Sequence, residues 1–171
     1  MTHEQRIAQT TAEFTNACRR MFARLDRASD EAAERRPPDN GWTAAQVAWH
    51  VATTNNYFAG LIDGRFPGAE PAPSGFVEAT WDEIGRRVPE KANAPVDVRP
   101  TDAVSRAAAL DKLRRSVDRV VSAIGQLTAE RGSGLVINNE FVGLISLYQV
   151  GEWATWHVIR HNRQIKRVLG E

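Results

Sequence analysis

The last long segment of the chain, Leu147 to Leu169, spaces Leu147, Val150, Ala154, His157, His161, Gln164 and Val168 by threes and fours. That rhythm keeps one line of side chains on one side of an α-helix, and the line must be buried against a partner element. Two members of the line are histidines four residues apart, a spacing that holds two rings on one face with Cβ atoms about 5–6 Å apart. A helix that places imidazoles where a bundle normally places Leu or Val gives up about 1.5–3 kcal/mol of apolar burial at each position. Domains are stable by only about 5–15 kcal/mol in total. The pair therefore requires an explanation: hydrogen-bonded core or partly exposed residues, or two ligands of one metal ion.

Three further segments carry helical periodicity. From His3 to Arg36 the stripe is Ile7, Thr11, Phe14, Cys18, Met21, Leu25, Ala28 and Ala32, and Pro37-Pro38 ends it, because proline disfavours helical geometry in the residue before it and lacks a donor. The second helix opens at Thr43, with Gln46 completing a capping box, and runs Val47, His50, Thr54, Tyr57 and Leu61 along one line. His50 again occupies a core position. The third helix spans about Thr101 to Glu130, and its line, Leu110, Leu113, Val117, Val120, Ile124 and Leu127, contains no polar residue.

Residues 65–100 hold Pro67, Pro71, Pro73, Pro89, Pro95 and Pro100, six of the chain's eight prolines. A connection of this length either crosses a bundle end to end or covers a site. Thr80 and Glu83 form a capping-box pattern that predicts a short helix inside it. After Arg131-Gly-Ser-Gly134, which stops the third helix, Leu135 to Val142 reads as a small hairpin turning at Asn138-Asn139. Ser146 with Gln149 caps the last helix. The expectation is an all-α fold: one domain over residues 1–171, a four-helix bundle whose long crossover lets the second and third helices run parallel.

His50, His157 and His161 are then candidates for one polar patch in the bundle. Three neutral imidazoles suit zinc or nickel, with cobalt, iron and manganese also compatible, and three protein ligands leave an open position for water or substrate. A closed structural site would need a fourth ligand, and Cys18 on the inward stripe of the first helix reads instead as a small buried apolar residue. Val158 follows His157, so the glutamate base of a zincin is missing; Val47, Ala154 and Val158 stand three residues before the histidines, so the carboxylates of a di-iron bundle are missing too. Base chemistry would come from water or a substrate thiol acidified by the ion. His3, at the start of the first helix, reads as exposed and is not a ligand.

Gly41-Trp-Thr-Ala-Ala-Gln-Val-Ala-Trp-His50-Val, followed by Trp153-Ala-Thr-Trp-His157-Val-Ile-Arg-His161-Asn-Arg-Gln-Ile165, resembles the DinB/YfiT-like superfamily of bacterial four-helix bundles. The resemblance covers nearly the whole chain in element order. It implies a divalent metal at one end of the bundle, held by His50, His157 and His161. In some relatives that metal activates a low-molecular-weight thiol (bacillithiol, mycothiol or glutathione) for S-transfer or isomerisation, and others resemble metal-dependent hydrolases. The reading is a metal-dependent enzyme of the thiol S-transferase type; the alternatives are a hydrolase, or a stress-associated dimer that binds metal or a small ligand without turnover. An enzyme requires a pocket over the imidazoles, lined partly by residues 66–100, whereas a scaffold would fill that space with side chains such as Trp81 or Phe76.

The remaining features bound partners. With a net charge of +1 and no clustered basic stripe, nucleic acid is not the expected partner. One cysteine permits no internal disulfide, and no apolar run of about 18 residues suggests a membrane span, so a cytoplasmic location is expected. Trp153, Trp156 and Arg160 share a face suited either to internal packing or to a homodimer. Thr54, Tyr57 and Gln164, one turn from the histidines, are placed to orient imidazoles or a small-molecule substrate.

Overall fold

Thr2 starts the first helix by accepting from the amide of Gln5, whose side chain returns the bond at 2.9 Å, and α1 runs His3–Arg27. The computed structural model describes residues 1–90 and 93–171; Lys91 and Ala92, within the predicted connection, lie outside the described residues. The predicted single helix to Arg36 is two. Ala28 leaves helical geometry, and Ser29 caps a new five-residue helix, α2, Asp30–Glu34. The heptad stripe continues through Ala28 and Ala32, but the serine hydroxyl accepting from the Ala32 amide at 3.1 Å offers the backbone a fresh start.

Thr43 and Gln46 make the expected reciprocal cap at 3.0 and 3.1 Å, opening α3, Ala44–Asp63. Gln46 has a second job: its amide nitrogen donates to the carbonyls of Thr101 and Asp102 at 2.9 and 3.2 Å, pinning the far end of the crossover beside the start of α3. Along the crossover lie a short strand, β1 (Ala69–Pro71), the Thr80-capped helix α4 (Trp81–Arg87) and a tight turn at Val96–Val98. The third long helix, α5, is Arg106–Gly125, shorter at both ends than its periodicity predicts. Thr128 caps a separate α6, Ala129–Gly134, so the Arg131–Gly134 stretch read as a stop is helical.

The predicted hairpin exists with a different turn. Strand β2 is Leu135–Asn139 and β3 is Gly143–Ser146, so Asn138 and Asn139 lie in the strand and the chain reverses through residues 140–142 into Gly143, whose φ of +73° suits glycine. Strand β1 adds antiparallel to the free edge of β2, pairing Pro71 with Leu135 and Ala69 with Ile137. This three-stranded sheet was not expected. Ser146 and Gln149 then cap α7, Leu147–Val168.

Long-range contacts set the helix directions. His3 meets Tyr148 and Arg24 meets Asn162, so α1 and α7 are parallel. Gln46 meets Thr101 and Arg131 meets the carbonyl of Ile62, so α3 and α5 are parallel, as the crossover predicts. Arg106 at the start of α5 donates to the carbonyl of Leu25 at the end of α1, making those two antiparallel. The four long helices surround a core of Phe14, Met21, Val51, Phe58, Leu113 and Val150. Two polar residues are buried in the α3–α5 seam: the Asn55 amide nitrogen donates to Ser116, which donates to the Leu113 carbonyl, while Oδ1 of Asn55 is buried without a partner among the described residues. Cys18 is 1% exposed, as its stripe position requires. His3 is not the exposed residue expected: it is half-buried, and its Nδ1 lies 2.6 Å from the Tyr148 hydroxyl.

Candidate metal centre

Antiparallel α3 and α7 put the first half of one against the second half of the other. His50, in the first half of α3, therefore meets His157, at the middle of α7, and His161, one turn beyond it. Ring centroids stand 5.2 Å (His50–His157), 4.8 Å (His50–His161) and 4.4 Å (His157–His161) apart. One donor atom from each lies within 4.8 Å of the others, and no carboxylate of the described residues joins the group. Two nitrogens on one tetrahedral ion are about 3.4 Å apart, given metal–nitrogen distances of about 2.1 Å, so the cluster closes on an ion by side-chain movements of the order of an ångström.

Hydrogen bonds orient two of the rings. Nδ1 of His50 donates to the carbonyl of Val98 at 2.8 Å, which leaves the lone pair on Nε2. Nδ1 of His161 lies 2.8 Å from Oε1 of Gln164, and Nη1 of Arg160 lies 2.7 Å from Nε2 of the same ring. A guanidinium only donates, so Nε2 accepts and Nδ1 carries the hydrogen given to Gln164. Nδ1 of His157 is buried without a hydrogen-bond partner among the described residues. Burial, first, and the positive charge each ring would present to its neighbours hold His157 and His161 well below the usual imidazole range; burial lowers His50 also. Each shift favours the neutral ring, the protonation state a metal requires. An orphaned buried nitrogen, two fixed tautomers and three imidazole donors fit a divalent transition ion.

A cavity of about 760 Å³ opens over the cluster. Trp42, Phe58, Phe141 and Trp153 supply much of its wall, and Val88, Pro89, Asn93, Pro95, Val98 and Arg99 bring the crossover to it. The space expected over the imidazoles is therefore present. Trp81 packs elsewhere, its ring 5.2 Å from Trp156 and its carbonyl accepting from the Trp156 indole at 3.1 Å. Trp153 packs edge-on to Phe58 at 4.7 Å. Of the residues expected to orient the rings, Gln164 does so; the Thr54 hydroxyl donates instead to the backbone carbonyl of His50, and Tyr57 lies at the exposed edge of the cavity. The Val98 carbonyl escapes sequence reasoning, because a backbone acceptor leaves no signature in residue type.

No curated protein matches the chain. The sequence profile of the DinB superfamily matches residues 13–165, a span that holds all three histidines and all four long helices apart from the two ends. With the helical fold and the buried three-histidine cluster in place, the chain belongs to the DinB superfamily.

Proposed function

We propose that His50, His157 and His161 hold one divalent transition-metal ion, zinc or nickel, at the floor of the cavity, and that a small molecule reacts above it. The single observation that carries the reading is the convergence of three imidazoles from two antiparallel helices beneath an open cavity. When bound, such an ion supplies Lewis acidity, lowering the pKa of a thiol or water presented to it. The chain supplies the rest. Val98 and Gln164 fix ring orientation through Nδ1 of His50 and His161, and Trp42, Phe58 and Trp153 give the space above them an apolar wall. Among the described residues no carboxylate joins the imidazoles, which favours a nucleophile that needs little help once acidified. A thiol is such a nucleophile, and transfer of a low-molecular-weight thiol to an electrophilic small molecule is the reaction class proposed.

Metal content of untagged protein, measured by plasma mass spectrometry beside His157→Ala, tests the site. About one equivalent of transition metal in the parent, lost in the variant, is expected for a three-ligand centre. Absence of metal after reloading with zinc and with nickel would overturn it. A metal-loaded protein that turns over no thiol with any electrophile would leave the ion and reject the transferase.

A further inference from the structure

We propose that Arg160 selects the charge of the small molecule: it receives the carboxylate of an otherwise apolar ligand whose body lies in the cavity above the three imidazoles. This rests on reading that cavity as a substrate site and adds the substrate class.

Arg160 is half-buried on α7. Nη2 donates to the carbonyl of Glu90 at 2.9 Å and Nη1 to Nε2 of His161 at 2.7 Å, while Nε is buried without a partner among the described residues. None of the described carboxylates reaches it as an ion pair, although Arg6 pairs with Glu78 at 2.7 Å and Arg106 with Asp30 at 2.6 Å. A guanidinium partly withdrawn from water, with no carboxylate in direct contact, is left with donor capacity for an anion. Its planar fork is matched geometrically by a carboxylate, which accepts two parallel N–H bonds.

The surroundings define the rest of the ligand. Arg160 shares its cavity with the aromatic walls Trp42, Phe58, Phe141 and Trp153, so the body facing it is apolar. The other charged side chains on that cavity, Arg99, Asp97 and Glu140, are exposed at its edge, where water screens them. Arg160 also walls a second cavity of about 780 Å³ together with Gln164 and Arg167. Asp39 and Glu90 line that second space, so it offers no competing anion site of one sign.

Phenylacetate and phenylacetamide, equal in shape and differing in charge, serve as the probes, titrated by calorimetry and by the fluorescence of Trp42 and Trp153. The intact chain is used metal-free and zinc-loaded, with zinc stoichiometry measured on each sample. The acid is expected to bind roughly ten-fold more tightly than the amide, as a charge-assisted pair implies. Arg160→Met should bring the two within about two-fold, and Arg160→Lys, which keeps the charge and loses the fork, should fall between. His157→Ala should retain the preference, because the carboxylate's partner is Arg160 and not the ion. Equal affinity in the parent, no binding of either probe at millimolar concentration, or an undiminished preference in an Arg160→Met protein with native circular dichroism would each overturn the proposal. Zinc bound without an acid preference rejects this inference alone; an Arg160-dependent preference in a protein that takes up no metal rejects the metal centre alone.

Discussion

Nη1 of Arg160 donates into the lone pair of Nε2 of His161 across 2.7 Å, while the opposite nitrogen of that ring gives its hydrogen to Gln164. The nitrogen that would bind an ion is thus held by a cation, and the two uses exclude each other. An ion bound through this nitrogen would require the guanidinium to leave, and that competition would lower the affinity below what the three histidines alone would give.

Arg160→Met is therefore expected to tighten zinc binding about ten-fold, the equivalent of one hydrogen bond to a charged group. Competition against a chromophoric chelator at pH 7 reads the change directly. Weaker binding in the variant would mean that Arg160 supports the centre instead of contesting it.

Removing the acceptor behind His161 has the opposite sign. Gln164→Leu leaves Nδ1–H of the ring without its partner at 2.8 Å and should cost about 10–100-fold in metal affinity, the usual penalty for losing an outer partner of a ligating histidine. Gln164→Glu keeps an acceptor and should retain the affinity, which separates orientation of the ring from mere packing.

Helix α4 rests on α7 at one glycine. A Cβ on Gly85 would stand 2.5 Å from the Trp156 ring, which cannot yield freely because its indole nitrogen is bonded to the Trp81 carbonyl at 3.1 Å. Gly85→Ala should destabilise the fold by about 1–3 kcal/mol, as overpacking does. Urea denaturation followed by tryptophan fluorescence measures it, and an unchanged midpoint would show that α4 lifts away without cost.

Burial pushes the Cys18 thiol up to about 12. The native protein should therefore resist a thiol-alkylating reagent at pH 8, where an unfolded cysteine with a pKa of about 8.5 reacts readily. Labelling followed by intact mass should stay at zero until denaturant is added. Rapid labelling of native protein would place the side chain outside the core.

Much of this was legible in residue order, and what was legible is local. The reciprocal caps at Thr43–Gln46, Thr80–Glu83 and Ser146–Gln149 form within four residues, so their pattern alone locates three helix starts. The four-residue spacing of His157 and His161 likewise determined that they share a face. Local readings failed where two were in competition: Ser29 fits both a continuing heptad and a new cap, and the cap prevails. What only the tertiary structure decided depends on residues far apart in the chain. Strand β1 exists because Pro71 finds Leu135, His50 has its tautomer because the crossover delivers the Val98 carbonyl, and three histidines become one cluster because α3 and α7 run in opposite directions. The physical reason is that a backbone acceptor or an unpaired strand edge is the same in every residue, so residue type cannot announce its partner; the path of the folded chain must bring the two together.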